Sequence, residues 1–308
     1  MRDLFLKTLM TEAAANKNAM LLTGDLGFGV LDPFIKAYPD RYLNVGVAEQ
    51  NMIGLATGLA HEGRRVVAYS IGNFPTLRPL EQIRNDVLYH NADVKIVCVG
   101  GGFSYGALGM SHHATEDLSI LRALPNLTML TPATDQETIA CTEYMMRHAG
   151  PCYLRLERSS APIPAGGDDA PVEIGKVRTI REGQNITFIG AGGVLGAAIG
   201  AADLLEKGGL STRVLSVHSL KPLDKDTIIR AAKDTEVLIT VEENTVIGGL
   251  GGAIAEICME AGVRVKFHRA GIPDTYTATV GDQNYLKDLY GLNAEALAQT
   301  AQKLLNRA

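Results

Sequence analysis

The feature that most constrains the fold is the run VKIVCVGGG at residues 94–102, a short apolar stretch rich in valine that opens directly into glycines. A strand without alternating polar residues has to be covered on both faces, as the strands of a parallel sheet are. Similar short runs alternate with helical stretches along the first half of the chain, namely MLLTGD, RYLNVGV, RRVVAYS, LTMLTPA and PCYLRLER. This alternation predicts a parallel sheet with helices on both faces.

The stretch SSAPIPAGGDDAPVE at residues 159–173 interrupts the alternation, and its prolines, glycines and paired aspartates are typical of a linker. A second series of strands follows it, namely NITFIGAGG, TRVLSVHSL, EVLITVEEN and VRVKFHRAGI. We therefore predict an α/β protein with two domains, each a mainly parallel sheet flanked by helices. The first domain covers residues 1–160, the linker and entry to the second domain 161–184, and the second domain 185–308.

Composition excludes several classes of function. Apolar residues make up 46% of the 308 positions, enough for real cores, and the net charge of −5 argues against binding to nucleic acid. The four cysteines lie far apart without metal-ligand spacing. No run approaches the about 20 apolar residues of a membrane span, and the start of the chain is typical of an amphipathic helix rather than a signal peptide. We expect a cytoplasmic protein.

The glycine-rich segment GAGGVLG at residues 190–196 follows a strand and opens a helix, as a dinucleotide fingerprint does. That function also needs an acid at the end of the next strand to hold the ribose. The next strand, TRVLSVHSL, ends without one. A tight turn with close helix packing therefore explains the glycines better than nicotinamide binding.

A lone acid, Glu49, stands at the start of the helix in NVGVAEQNMIGLATGLAHEG, residues 44–63. It is either a favourable partner for the helix dipole or a buried acid among apolar neighbours that exchanges a proton near neutral pH. The residues alone leave both interpretations open. Small residues at every second position from Gly54 to Ala60 would let another helix approach closely, which suits a site formed between subunits.

The segment VGVAEQNMIGLATGLA resembles the part of transketolases and deoxyxylulose-phosphate synthases that carries the cofactor-activating glutamate. Further segments resemble the same superfamily in the same order, over almost all of the chain: FPTLRPLEQIRNDV, SHHATEDLSILRALPNLTMLTPA, GPCYLRLERS, LKPLDKDTI and VEENTVIGGLGGAIAEI. The resemblance implies that thiamine diphosphate is the cofactor. It also implies that this chain holds only the pyrimidine-binding domain and the C-terminal domain of such an enzyme.

The resemblance implies a role for each of five cofactor-site residues. Glu49 would protonate the aminopyrimidine ring, and Phe74 would form the aromatic wall of its pocket. Asp25 and Leu26 match an Asp-Leu pair near the thiazolium ring. Arg78 matches the arginine that follows the pocket aromatic. The alternatives are a core phenylalanine at Phe74 and a solvated helix charge at Arg78.

Two further residues are implied to bind substrate. His112 follows Ser111 as the family's histidine follows Ser or Thr, so we choose it over His113 to hydrogen-bond substrate oxygens and shuttle a proton. Arg158 matches the arginine that grips a substrate phosphate, unless it forms an ordinary surface ion pair. Arg155, three positions earlier on the strand, is expected to face elsewhere.

Two positions depart from the family pattern. Gly100 stands where transketolases have a histidine and the synthases an arginine, and Leu108 stands where both have an aspartate that contacts a sugar hydroxyl. Tyr105 or groups on a partner chain are candidates to replace these contacts. The departures favour a less hydroxylated donor or one with a different head group, and the stretch GALGMSHH is nearer to the beta subunits of 2-oxoacid dehydrogenases.

Full-length family members also carry GDG and a later Asn, which hold Mg²⁺ and the cofactor diphosphate; here the nearest string is GDLG at 24–27, in the wrong place. We therefore predict the C-terminal subunit of a split transketolase, in an α₂β₂ assembly with an N-terminal subunit that carries the Mg²⁺ ligands. It would transfer a two-carbon ketol unit from a ketose phosphate, or a modified sugar, to an aldose. The alternatives are the beta subunit of a 2-oxoacid dehydrogenase, a deoxyxylulose-type synthase, and a scaffold paralogue without activity.

Overall fold

The computed structural model describes residues 1–163 and 171–306, in which strands and helices alternate. The strands in chain order are β1 (Ala19–Thr23), β2 (Tyr42–Asn44), β3 (Arg65–Ile71), β4 (Val94–Val99), β5 (Thr128–Leu130), β6 (Cys152–Leu156), β7 (Arg178–Arg181), β8 (Ile186–Ala191), β9 (Thr212–Ser216), β10 (Ser219–Lys221), β11 (Val237–Thr245) and β12 (Lys266–Ile272). The apolar run at 94–99 forms β4, whose side chains are all buried.

The helices in chain order are α1 (Arg2–Ala15), α2 (Asp32–Ala37), α3 (Glu49–His61), α4 (Phe74–Leu77), α5 (Leu80–Gln82), α6 (Asp117–Arg122), α7 (Asp135–Arg147), α8 (Leu195–Lys207), α9 (Lys225–Lys233), α10 (Leu250–Glu260), α11 (Gln283–Leu289) and α12 (Ala294–Leu305). A π-helical segment, Ile83–Leu88, continues α5, and short 3₁₀ turns cover Pro39–Arg41, Gly106–Leu108 and Met110–His112. None of the described helices has both the length and the apolar character needed to cross a membrane.

The first sheet has seven strands in the order β10-β5-β6-β4-β3-β1-β2, all parallel except β10. Because parallel strands end at the same edge of a sheet, the loops that follow β1, β3, β4 and β6 meet there. Ligands of open α/β sheets bind at this carboxyl edge. The fold thus brings the predicted site residues to one side of the first sheet.

The segment TRVLSVHSL was expected to form one strand, but it divides between the two sheets. The strand β9 ends at Ser216, and β10 crosses to pair antiparallel with β5 of the first sheet. Thr131 fixes the crossing, because its backbone N–H donates to the carbonyl of His218 at 2.9 Å and its hydroxyl donates to that of Val217 at 3.0 Å. The second half of the chain therefore completes the first sheet.

The second sheet has five strands in the order β12-β11-β8-β9-β7, with β7 antiparallel to β9 and the rest parallel. The predicted class, an α/β chain with two mainly parallel sheets flanked by helices, is confirmed. The strand β7 lies inside the segment 161–184 that was predicted as linker and entry, so this segment supplies a sheet edge. Residues 164–170 of that segment lie outside the described part of the chain, and the domain boundaries stay a prediction.

One apolar cluster joins the two halves. It contains Ile96 and Leu118 from the first half together with Ile189 and Leu215 from the second, all nearly or fully buried. Burial of such side chains contributes about 1.5–3 kcal/mol each. The second half is therefore packed against the first through a shared core, which fixes its position beside the carboxyl edge.

Candidate active site

Glu49 is the first residue of α3, and its side chain is only 3% exposed. The predicted burial is found, but a guanidinium faces the carboxylate instead of apolar groups alone. Arg78 Nη1 donates hydrogen bonds to both Oε1 and Oε2 of Glu49, each at 2.9 Å. The start of a helix also favours a negative charge, so the carboxylate is stabilised from two directions.

Arg78 makes a second contact, with Phe74 at the start of α4. The guanidinium carbon Cζ lies 3.8 Å from the centroid of the Phe74 ring, a cation–π geometry. Phe74 itself is half-buried. A flat cation thus lies on the face of this ring while its N–H groups reach a carboxylate.

His112 lies on the other side of Phe74. The two ring centroids are 5.0 Å apart and meet edge to face at 62°. The hydroxyl of Ser111 is 3.0 Å from His112 Nδ1. His113, by contrast, is buried against Phe103 with ring centroids 5.1 Å apart, and burial lowers its pKa. Of the two histidines, the structure brings His112 to Phe74.

The backbone explains why this histidine loop lies where it does. Gly72 follows β3 with φ of +54°, and a Cβ atom there would be 2.7 Å from the carbonyl oxygen of His112. Asn73 Nδ2 donates to the carbonyl of His113 at 2.9 Å. The loop is therefore held against the end of β3, next to α4.

Asp25 follows β1 and is joined to β2 through Asn44. The backbone N–H of Asp25 donates to Asn44 Oδ1 at 3.0 Å, and Asn44 Nδ2 donates back to Asp25 Oδ1 at 3.1 Å. A Cβ atom on Gly24 would lie 3.6 Å from Glu49 Oε1, so this loop borders the buried acid. Leu26 is half-buried and packs against the apolar cluster of α1 and α2.

A cavity of about 630 Å³ opens in front of the acid, lined by Val47, Ala48, Glu49, Gln50, Asn51 and Arg78. The outer face of α3 continues from it, and there Gly54 and Gly58 are exposed, with no atom within 4 Å of a Cβ placed on either. Val47 is 72% exposed. This side of the helix is not covered by the described chain.

Arg158 lies in a different cavity, of about 640 Å³, between the start of α1 and the ends of β4 and β6. Its side chain makes no ion pair with any residue in 1–163 or 171–306, and its backbone N–H donates to the Ser104 hydroxyl at 3.2 Å. Gly100 and Tyr105 line the same cavity, whereas Leu108 is 57% exposed on the surface.

Arg2 also lines this second cavity, although the sequence pattern gave no reason to single it out. It is exposed and paired with Asp3, Nε to Oδ1 at 3.0 Å. In the sequence, a basic residue at the start of a helix is indistinguishable from an ordinary surface charge. The predicted residues therefore divide into two groups, with Arg158 apart from the contacts that join Glu49, Arg78, Phe74 and His112.

A buried charge cluster between the two halves was also missed. Arg155 is 1% exposed, and its guanidinium donates to Asp117 Oδ2 at 3.1 Å, to Glu157 Oε1 at 2.7 Å and to the carbonyl of Glu243 at 2.8 Å. Burial raises the pKa of Glu157 to about 8, against the opposing effect of Arg155. Arg155 faces away from the second cavity, as expected, and binds the halves together.

The glycine-rich turn of residues 190–193 binds the side-chain carboxyl group of Glu157. The backbone N–H of Gly193 donates to Glu157 Oε2 at 2.8 Å. A Cβ atom on Gly192, whose φ is +76°, would lie 2.2 Å from Glu157 Oε1. The turn that resembles a dinucleotide fingerprint thus holds one of the protein's own carboxylates, which supports the tight-turn interpretation.

Among residues 1–163 and 171–306, no three His, Cys, Asp or Glu side chains are grouped so that they could hold a metal ion. The buried carboxylates of Glu49 and Glu157 are instead paired with Arg78 and Arg155.

Comparison with known proteins identifies relatives over nearly the whole chain. The family described as "Transketolase, pyrimidine binding domain" matches residues 1–164, and "Transketolase, C-terminal domain" matches residues 175–297. One of the apulose-4-phosphate transketolase subunits of Phocaeicola vulgatus is 34% identical over 307 residues, which cover 99% of this chain and 97% of the relative. A 6-deoxy-6-sulfo-D-fructose transketolase subunit of Clostridium sp. is 33% identical over 308 residues, covering 100% and 95%.

A solved structure described as "Split gene transketolase, inactive beta4 tetramer" is also similar. It superimposes with a TM-score of 0.87 and 34% sequence identity, covering 99% of this chain and 97% of the other. The similarity therefore extends over both sheets and is not limited to one half.

Proposed function

Since this chain belongs to the transketolase family, we propose that it is the C-terminal subunit of a split, thiamine-diphosphate-dependent transketolase. Its relatives of nearly equal length are transketolase subunits, and the two matching domains are the pyrimidine-binding and C-terminal ones. The reaction is the transfer of a two-carbon ketol unit from a ketose phosphate, or from a modified sugar, to an aldose.

The observation that carries the proposal is the pair of contacts made by Arg78. Its guanidinium lies flat on Phe74 and donates to both oxygens of Glu49. A protonated aminopyrimidine is likewise flat and cationic, with N–H donors at its edge, so the aromatic face and the carboxylate fit this ring. In this interpretation Arg78 occupies the place of the ring and moves aside when the cofactor enters.

Thiamine diphosphate, when bound, supplies the nucleophilic carbon that accepts the two-carbon unit. Glu49 exchanges a proton with the pyrimidine nitrogen, because it is the buried acid at the mouth of the cavity. Ser111 occupies Nδ1 of His112, which leaves Nε2 to hydrogen-bond substrate oxygens and to move a proton. Phe74 contacts His112 on one side and Arg78 on the other, and it would form the aromatic wall that holds the cofactor ring.

The ligands for Mg²⁺ and for the cofactor diphosphate belong, in this proposal, to a separate N-terminal subunit that carries GDG and a later Asn. The uncovered face of α3 at Gly54 and Gly58 provides a surface for association, and an α₂β₂ assembly would place active sites at the subunit interfaces. The similar solved structure is described as an inactive tetramer of beta chains. We infer that this chain is inactive without its partner.

The second cavity supports a substrate with an anionic end. Arg2 and Arg158 line it together with Asp3, Asp135 and Glu157; Arg2 is paired with Asp3, whereas Arg158 makes no ion pair among the described residues. A guanidinium group binds a tetrahedral oxyanion through paired hydrogen bonds. The two relatives above are named for a sugar phosphate and a sulfo-sugar. This supports a donor that ends in a phosphate or sulfonate group.

The proposal is tested by assembling the chain with its N-terminal subunit, thiamine diphosphate and Mg²⁺, and by supplying xylulose 5-phosphate and ribose 5-phosphate. Formation of a seven-carbon ketose phosphate is expected, and its loss in Glu49→Ala would support the role of the acid. Carbon dioxide release from pyruvate would instead indicate a 2-oxoacid dehydrogenase or a deoxyxylulose-type synthase. Failure of the assembled pair to bind the cofactor would indicate a scaffold protein.

A further inference from the structure

The second cavity contains a hydroxyl group that the proposed chemistry does not use. Tyr105 is half-buried and lines this cavity together with Arg2 and Arg158. Its hydroxyl makes no hydrogen bond with any group of residues 1–163 and 171–306. The hydroxyl is accessible from the cavity, so it is available to water or to a ligand there.

The ring of Tyr105 lies against the backbone of Gly100. A Cβ atom on Gly100 would be 2.1 Å from Cε2 and 2.3 Å from Cδ2 of the ring, and the φ of Gly100 is +95°. Any side chain at position 100 would displace the tyrosine. The ring of Tyr105 therefore occupies the space that a side chain at position 100 would need.

The loop beneath the ring is fixed by hydrogen bonds to the end of β6. The backbone N–H of Gly101 donates to the carbonyl of Leu156 at 3.0 Å. Ser104 Oγ donates to the carbonyl of Gly101 at 2.7 Å and accepts from the backbone N–H of Arg158 at 3.2 Å. The loop that carries Tyr105 is thus tied through Ser104 to the separate segment that carries Arg158, which fixes the two backbones relative to each other.

We propose that Tyr105 is a specificity-determining residue that donates a hydrogen bond to a terminal tetrahedral oxyanion of the donor sugar. This inference rests on the proposed function. Asp3, Asp135 and Glu157 also line the cavity, but Asp3 is paired with Arg2 and Glu157 with Arg155. Arg158 is therefore the lining arginine without an ion pair among the described residues; it attracts an anion, and the phenol adds a hydrogen-bond donor. Burial raises the pKa of Tyr105, so its hydroxyl stays protonated at neutral pH and is able to donate.

The test compares Tyr105→Phe with the wild-type chain, each assembled with the N-terminal subunit, on xylulose 5-phosphate and on the uncharged donor L-erythrulose. Loss of a hydrogen bond to a charged group should raise KM for xylulose 5-phosphate about tenfold, with kcat unchanged. Both constants for L-erythrulose should stay the same. Tyr89→Phe, which removes a hydroxyl from an exposed ring elsewhere, is the matched control.

Fructose 6-phosphate and 6-deoxy-6-sulfofructose distinguish the two sources of the oxyanion. The donor whose KM rises more in Tyr105→Phe carries the group that the hydroxyl recognises. An unchanged KM for all three anionic donors would overturn the proposal. An equal rise for L-erythrulose would overturn it as well, because the effect would then not depend on the anion.

A second measurement separates this inference from the transketolase assignment. Arg2, Tyr105 and Arg158 all belong to this chain, so inorganic phosphate can be titrated into the full chain alone and followed by ³¹P NMR. Weaker phosphate binding in Tyr105→Phe, together with an inactive assembled pair, would support the oxyanion site and reject the transketolase assignment. If the assembled pair is active but Tyr105→Phe does not change phosphate binding to the chain alone, the role of Tyr105 is rejected. It is rejected as well if the pair is active and the wild-type chain alone binds no phosphate.

Discussion

The guanidinium of Arg78 bridges both carboxylate oxygens of Glu49 at 2.9 Å and simultaneously lies 3.8 Å from the centre of the Phe74 ring. A buried acid, an aromatic face and a cation thus form one unit at the carboxyl edge of the first sheet. The arrangement satisfies the charge of the acid in the isolated chain. In the function that we propose, a cofactor ring would have to displace Arg78 from Phe74 and Glu49.

Glu49→Gln should abolish ketol transfer by the assembled pair while leaving the fold intact. Glutamine has the size of glutamate but cannot exchange a proton, and general acid–base contributions are worth about 10²–10⁴-fold in rate. Steady-state kinetics and the thermal unfolding temperature are measured together. Glu62→Gln, at the exposed opposite end of α3, is the control. Retention of more than a tenth of the activity by Glu49→Gln would contradict the assigned role.

Arg78→Ala should destabilise the chain by about 1 kcal/mol, because Glu49 is left buried without its cation; the value is low since Arg78 is 43% exposed. Adding Glu49→Gln should recover most of that loss, because the neutral amide needs no cation. Urea unfolding of the two single variants and the double variant measures the coupling. Arg84→Ala removes an exposed arginine from the neighbouring π-helical segment and should be neutral. Strictly additive effects would show that the two side chains do not interact.

The contribution of Glu157 to the free energy of unfolding should fall as pH rises from about 4.5 to about 8. Burial raises the pKa of Glu157 from 4.5 to about 8, so in this window the folded chain holds a proton that the unfolded chain has released. Stability is therefore highest below the unfolded pKa and declines through the folded one. Arg155, Glu243 and Lys287 act on the same carboxyl group, with Arg155 opposing the shift most strongly.

Glu157→Gln should flatten this pH dependence, because the amide does not titrate. Part of the slope should remain, since burial also raises the pKa of Glu242, to about 7. Chemical unfolding at several pH values measures the slope, and Glu260→Gln on the exposed end of α10 is the control. A slope as steep in Glu157→Gln as in the wild-type chain would show that Glu157 is ionised in the folded protein.

Gly58→Leu should block subunit association without unfolding the chain. No atom lies within 4 Å of a Cβ placed on Gly58, so a single copy accommodates the leucine, and helix propensity even favours it. Light scattering after size exclusion measures the assembly, and Gly252→Leu, at a helical glycine whose Cβ would meet Arg122 only at 3.9 Å, is the control. Assemblies of wild-type mass in Gly58→Leu would exclude this face of α3 from the interface.

Much of the fold could be predicted because alternating apolar strands and helices are a local signal. The apolar run at 94–99 forms the buried strand β4, and the strand–helix order of both halves follows the sequence pattern. The break in TRVLSVHSL was not predictable, because the pairing of β10 with β5 depends on contacts about 90 residues apart, a separation that no local pattern encodes. The short, charged strand β7 was missed for the same reason.

In the site, too, residues within sequence motifs could be predicted, whereas residues that only the fold brings there could not. The resemblance singled out Glu49, Phe74, Arg78 and His112, and the structure joins them through direct contacts. The resemblance gave no reason to notice Arg2, which reaches the second cavity only because α1 begins beside the end of β6. The cluster around Arg155 was equally hidden, since its hydrogen-bond partners come from three separate parts of the chain.

The split active site can be tested by calorimetry. Thiamine diphosphate with Mg²⁺ is titrated first into this chain alone and then into its mixture with the N-terminal subunit. We expect no measurable binding to the chain alone, because Arg78 covers Phe74 and Glu49. The described residues also contain no group of three His, Cys, Asp or Glu side chains that could hold the metal ion. We expect tight binding of thiamine diphosphate to the assembled pair. Tight, Mg²⁺-dependent binding to the chain alone would contradict the split active site.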